Sequence, residues 1–369
     1  MPVLVLPRVD FEAGARLAVA GLVAAVVVAT VGLGVVLGRV AAPPAHLPLM
    51  RAVALPGVAS SPEPPHEIPA APVPHRRPAA PSKAASPRPS PAAARPVAAP
   101  SPAAPVPPVP PSGKGVWIWE PTRTDGGDAA AIVARATATG LTHIYVRTGS
   151  GWDGLQNGPF LDALLPVAHA AGLKVYGWDF PKLETVADDI DRAMATITHL
   201  APGGHRLDGF AADIETPHEG TRLSVQAAQI YGSVLRARTG ASELLIAVVP
   251  RPSPQMLQRY PYADVVAHFD VIAPMIYWLN REPGSDVADA MKELARYAKP
   301  LAPIGQAYDG APEGGRTGVP PRAELLRFME VAAQYHAAAV SFWSWQEAND
   351  EAWTAIHDAP WFKLDSPRR

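Results

Sequence analysis

The chain of 369 residues contains no cysteine. That absence excludes a disulfide framework, a zinc–thiolate site and a cysteine nucleophile. Other chemistries lack their marks too. The eleven histidines are scattered with no His-Glu-x-x-His pairing, so neither a catalytic metal nor a cofactor is expected. Ser253 and Ser344 have no Gly-x-Ser-x-Gly context, which argues against a serine hydrolase. The glycine-rich stretch 310–321 lacks the Gly-Lys-Ser/Thr of a phosphate loop, which argues against nucleotide binding. Net charge is also small, at -2, but it sums unlike parts. Residues 1–40 carry +1 and residues 41–113 carry +4, against -7 for residues 114–369. An acidic main body argues against a nucleic-acid partner, because phosphate binding needs a basic face.

What is present falls into segments. After a short N-terminal stretch, 1–16, residues 17–38 read LAVAGLVAAVVVATVGLGVVLG without a charge. As a helix this run would span roughly 33 Å, enough to cross a ~30 Å hydrocarbon core. A cleaved secretory signal has a shorter apolar region, so the run reads as an uncleaved transmembrane anchor. Secretion after cleavage is the alternative. Residues 39–113 follow as a Pro/Ala-rich linker, and 23 of the 44 prolines lie between 41 and 113. Such a stretch has no apolar periodicity and too little burial to offset its ordering entropy, so a disordered, extended tether is expected. Together these features predict a single-pass cell-membrane protein whose main domain is extracytoplasmic.

Residues 114–369 have the length of one (β/α)8 TIM barrel. Eight apolar strand candidates alternate with helical stretches. The strands are 115–120, 142–148, 174–180, 209–215, 244–250, 271–277, 303–309 and 339–345. The helices lie near 128–139, 158–171, 184–200, 221–238, 253–267, 285–298, 321–337 and 347–358. Gly140 and Gly172 stand where helix-ending glycines belong, and Pro166 predicts a break or kink in the second helix. Eight such units predict a closed parallel α/β barrel, expected to be monomeric.

Active sites of such barrels form at the C-terminal ends of the strands. Those ends offer Glu120, Arg147, Trp178 with Asp179, Asp213 with Glu215, Arg251, Tyr277 with Trp278, Gln306, and Trp343 with Trp345. The fourth strand, LDGFAADIET (207–216), is the sharpest. Alternation places Ala211, Asp213 and Glu215 on one face and Phe210, Ala212 and Ile214 on the other. The apolar face suits packing against helices, which points the two acids into the mouth. Their repulsion would raise one pKa and favour a general acid held protonated near neutrality. An ion pair with Arg147 is the structural alternative. Glu215 could also act with Asp179 or Glu120 as second carboxylate, at ~5 Å for retention or ~6.5–9.5 Å for inversion. All nine tryptophans lie in this segment, and Trp119, Trp178, Trp278, Trp343 and Trp345 are candidate sugar platforms. Trp343 and Trp345 are expected near the site, and Trp117 and Trp353 in packing. The loop 310–321 is expected over the mouth.

DGFAADIE resembles the D-G-x-x-x-D-x-E signature of glycoside hydrolase family 18, the chitinase-like barrels. PMIYW (274–278) is similar to that family's Met-x-Tyr element, and SFWSW (341–345) to its final strand with a floor tryptophan. The resemblance implies Glu215 as proton donor. It implies that Asp213 and Tyr277 hold a substrate 2-acetamido group that serves as nucleophile, and that Trp343 forms the floor. Asp208, which opens the motif, joins the substrate-binding candidates. Two positions depart from the pattern: Ala211 stands where the family has an inner Asp, and Trp278 where it has Asp or Asn. The chain is also similar to membrane-anchored glycosidase-like barrels of high-GC bacteria. It shares with them the runs GWDFP (177–181), VPRPSP (249–254), PMIYW (274–278), GQAYDG (305–310) and SFWSWQ (341–346), a likeness that implies the barrel and no particular activity. The implied partner is a polysaccharide or cell-wall glycan, with a non-catalytic glycan-binding barrel as the alternative.

Overall fold

The computed structural model describes residues 108–361. Among them eight parallel strands close on themselves. They are β1 (Gly113–Ile118), β2 (His143–Ser150), β3 (Lys174–Phe180), β4 (Gly209–Asp213), β5 (Leu245–Pro250), β6 (Val271–Ile276), β7 (Ile304–Gln306) and β8 (Ala339–Trp343). Each pairs with the next, and β8 returns to β1 through the register Gly113↔Ala339 to Val116↔Phe342. A two-residue antiparallel strand, Gly154–Leu155, folds back on the end of β2. The closed ring leaves no backbone edge except at that small hairpin. This is a (β/α)8 barrel.

The connecting helices are α1 (Ala129–Ala138), α2 (Gly158–Ala170), α3 (Val186–Ile197) and α4 (Val225–Thr239). They continue with α5 (Pro254–Arg259), α6 (Tyr262–Val266), α7 (Pro283–Leu294), α8 (Arg322–Gln334) and α9 (Asp350–Asp358). Local chemistry explains several ends. Asp128 caps α1 by accepting from Ala130 and Ala131 N–H, and Ser224 caps α4 through Ala227 N–H. Gly140 follows α1 at φ 71°, and the next N–H, of Leu141, donates back to Ala136. Two expectations are corrected. The helix expected over 253–267 is two short helices divided at Tyr260 and Pro261. The second helix, expected to break or kink at Pro166, runs through it to Ala170 without a break.

Strand alternation builds two cores. Inside the barrel lie Trp117, Tyr145, Tyr176, Trp178, Ala211, Ile246, Val248 and Met275. Between barrel and helices lie Val116, Ile144, Val175, Phe210, Ala212, Ile214, Ile276 and Phe342 with the helix faces. The period-2 pleat sends successive residues to these opposite sides. The run 17–38 and nearly all of the proline-rich stretch lie outside the described residues. Among the described residues no helix is long and apolar enough to cross a membrane.

Candidate active site

The fourth strand carries Ala211 in the interior, fully buried and flanked in register by Trp178 of β3 and Ile246 of β5. Two residues on, Asp213 ends the strand, 9% exposed, and its Oδ1 has no hydrogen-bond partner among the described residues. Glu215 lies just past the strand end and is partly exposed. Ile214 between them turns outward, and its carbonyl accepts from the Tyr260 hydroxyl at 2.6 Å. That bond pins the backbone between the two carboxylates.

Electrostatics follow from enclosure. Burial raises the pKa of Asp213 to about 7, with the charges of Asp179 and Glu219 adding to it. Glu215 is also raised well above the ordinary carboxylate range, by burial first and then by Asp213, Glu219 and Glu313. Two close acids in a poorly solvated site cannot both ionise easily, so a proton is retained between them. Tyr277, just beyond β6, meets the edge of Tyr308 with ring centroids 5.4 Å apart. Burial, then Tyr308 and the nearby acids, raise its phenol too, so it remains a hydrogen-bond donor.

Below the carboxylates the interior is aromatic. Trp117 stacks on Tyr145 at 4.0 Å with the planes 5° apart. Trp178 meets Trp343 edge-on at 5.4 Å, and its Nε1–H donates to the Ile118 carbonyl at 3.1 Å. Trp343 is partly exposed and lies 6.4 Å from Trp119. Trp343 thus offers the mouth an indole held by its neighbours, a surface suited to the apolar face of a ring-shaped ligand.

Several expected site residues are placed elsewhere. Asp179 is fully buried on the outer side of β3, where Arg192 of α3 grips both its oxygens at 2.8 and 2.9 Å. Buried and clamped by a guanidinium on the helix side of the strand, its carboxylate is not presented to the mouth as a base or nucleophile would be. It acts on the site only as a charge. Trp278 faces outward from β6, fully buried against Phe328, with Nε1–H on Glu324 at 2.8 Å. Trp345 belongs to the outer core and donates to Asp125 at 3.2 Å, because β8 and its alternation stop at Trp343. Asp208 precedes β4, at the opposite end of the barrel, and accepts from Lys174, Val175 N–H and His169. Gln306 is buried at the end of β7, and its amide is used by Leu279 N–H and the Tyr308 carbonyl. Glu120 pairs with Arg123, and Arg251 with Asp286. Arg147 pairs with Asp153 at 2.6 Å and lies 6.0 Å over the Trp178 ring, rather than against Asp213 or Glu215.

The loops add residues that strand periodicity could not reveal. Glu313 belongs to the loop after β7, where it accepts from the Tyr308 hydroxyl at 2.9 Å, and burial raises its pKa. Glu219 follows Glu215 in the β4 loop and is bonded by Thr216. The loop 310–321, expected over the mouth, supplies Glu313, whose charge reaches Glu215. Among the described residues no group of three His, Asp or Glu is arranged to hold a metal ion.

No family model and no curated protein matches the chain. Solved structures similar to it include an endo-1,4-beta-mannanase from Rhizomucor miehei, at 9% identity and TM-score 0.48 over 63% of this chain and 86% of that one. A chitinase from Chromobacterium violaceum is 13% identical, with TM-score 0.47 over 68% of this chain and 99% of that one. The GH18 chitinase ChiB of Flavobacterium johnsoniae is 13% identical, with TM-score 0.46 over 67% and 93%. At these identities the likeness concerns the barrel, and function has to be argued from the site.

Proposed function

We propose that the protein is a glycoside hydrolase with Glu215 as general acid. The observation that carries this reading is the pair Asp213 and Glu215 at the end of β4, both raised in pKa, above an aromatic floor. A carboxylic acid that keeps its proton near neutrality can protonate a glycosidic oxygen as the bond breaks. Asp213, whose Oδ1 has no partner among the described residues, and the Tyr277 hydroxyl are suited to hold an acetamido group that attacks the anomeric carbon, the substrate-assisted route. That route suits this site, since Asp179 is consumed by Arg192 and is not available as an enzyme nucleophile. Trp343 is the platform for the sugar.

The substrate class is a cell-envelope or environmental polysaccharide with N-acetylated units. The stretch 17–38 anchors the protein in the cell membrane, and the proline-rich stretch holds the barrel outside it. Retention of the full chain by membranes after salt washing, and its loss on deleting 17–38, would test that arrangement. For the activity, the full chain should release reducing ends from an N-acetylated glycan with retention of anomeric configuration. Inversion would rule out the acetamido route.

A second reading, a non-catalytic glycan-binding barrel, draws on Ala211. This position is small and apolar where the resembling family has an acid, so no carboxylate lies directly below Asp213 on its own strand. Tight glycan binding without turnover would favour it.

A further inference from the structure

A concavity lies on the rim of the mouth, formed by the loops that follow β2, β3 and β4. It has a volume of about 310 Å³ and is lined by Trp152, Lys182, Glu184, Pro217, Thr221 and Arg222. Pro217 stands two residues beyond Glu215, so the concavity and the catalytic carboxylate share one loop.

Trp152 is 54% exposed, an unusual state for the largest apolar side chain. It is nevertheless fixed. Its ring rests on Phe180 at 4.6 Å, and Gly220 lies against its edge, where a Cβ would come within 2.8 Å of the indole. Gly220 also has φ +98°, a conformation open to glycine. Lys182 lays its stem across Gly151, where a Cβ would stand 2.5 Å from Lys182 Cγ, and places its ammonium 5.8 Å from the Trp152 ring. The Arg222 N–H donates to the Lys182 carbonyl at 2.6 Å, which ties the β3 and β4 loops together. Core packing does not explain an indole that is more than half exposed and set beside Lys182 and Arg222.

The charge of this rim is opposite to that of the centre. Lys182 bonds Glu184 at 2.9 Å, while the Arg222 guanidinium enters no ion pair among the described residues. The hydrogen bond and charge of Lys182, and more weakly the charge of Arg222, hold the Glu184 carboxyl below its usual range. Exposed pairs of this kind are weak, so an incoming anion can share Lys182. Thr221 is buried in the wall, and its hydroxyl has no partner among the described residues. Around the catalytic centre, by contrast, Asp213, Glu215, Glu219 and Glu313 are all acidic.

We propose that this rim concavity is an accessory subsite for a sugar unit bearing a carboxylate, with Trp152 as its stacking surface and Lys182 and Arg222 as its anion-binding groups. The acidic centre then receives a neutral unit, and the basic rim receives an acidic unit further along the same chain. A guanidinium with unused donors suits a planar carboxylate, and an aromatic face suits the ring that carries it. The proposal rests on the glycoside-hydrolase reading for the nature of the ligand.

The test uses the full chain carrying Glu215→Gln, so that turnover does not obscure binding. Titration calorimetry compares a hyaluronan tetrasaccharide, which alternates glucuronate with N-acetylglucosamine, with neutral chitotetraose. The acidic sugar should bind about tenfold more tightly, the effect of one added charge-assisted contact. Arg222→Gln and Lys182→Gln should each erode that preference, Arg222→Lys should restore part of it, and Trp152→Ala should weaken both sugars. Equal affinity for the two sugars would overturn the proposal. So would a preference that survives the double Lys182→Gln, Arg222→Gln change, or no heat from the acidic sugar up to about 10 mM, a Kd too weak for a subsite. Parallel turnover assays separate the two ideas. Glu215-dependent hydrolysis with KM unaltered by Trp152→Ala would sink the subsite and leave the hydrolase. Acidic-sugar binding that depends on Trp152, without turnover of any glycan, would do the reverse.

Discussion

Arg192 holds both carboxylate oxygens of Asp179, at 2.8 and 2.9 Å, behind the third strand of the barrel. Arg192 also bonds Asp189 at 2.6 Å, so a single guanidinium bridges two buried acids and leaves the cluster with net negative charge. One of those acids is a neighbour whose charge raises the pKa of Asp213. The pair is therefore structural, and it also sets part of the field in which the candidate site operates.

Removing the cation should be costly. Arg192→Ala leaves Asp179 buried without its partner, and breaking a pair of this kind costs about 3–5 kcal/mol. Urea unfolding should show a loss of that size. If stability is unchanged, the pair is not the staple it is taken for.

Asp213 should make stability fall as pH rises. Its folded pKa, about 7, lies above the 3.8 of an ordinary aspartate. The native state thus holds a proton that the unfolded chain releases first. The resulting destabilisation is absent below about pH 4, grows through the window between the two values and is complete above about pH 7. Asp213→Asn should therefore gain stability over the parent at pH 8, on the order of a few kcal/mol, and little at pH 4. Melting curves of both proteins across this range would reveal a pH-independent difference if the carboxylate is ionised throughout.

Trp278 and Trp343 should separate by phenotype. Trp278 is fully buried against Phe328, so Trp278→Ala should destabilise by about 3–5 kcal/mol. Trp343 is partly exposed in the mouth, so Trp343→Ala should chiefly raise KM. Equal effects of the two changes on KM and stability would refute the division.

That division was within reach of strand periodicity. Alternation along β4 separates Asp213 from Phe210 and Ala212, as the two cores do for Ala211 and its neighbours. The same count along β3 puts Asp179 with Val175 and Gly177 on the outer face. Along β6 it puts Trp278 with Ile272 and Ile276. At both positions polar or aromatic character competes with parity as a signal. Asp208 lies before its strand, at the end where barrel sites do not form. Trp278 and Trp345 each stand two residues past a strand end; the alternation carries on to Trp278 but not to Trp345, which joins the outer core although Trp343 faces inward. Glu219, Glu313 and Trp152 lie on loops, where position follows from tertiary packing and no repeat announces it.

The central claim is that Glu215 delivers the proton that breaks a glycosidic bond. The direct measurement is release of reducing ends from N-acetylated and other glycans by the full chain and by its Glu215→Gln form. The account predicts activity in the parent and a loss of about 10²–10⁴-fold in the variant, with folding intact by circular dichroism. Turnover by Glu215→Gln at the parent's rate would contradict it.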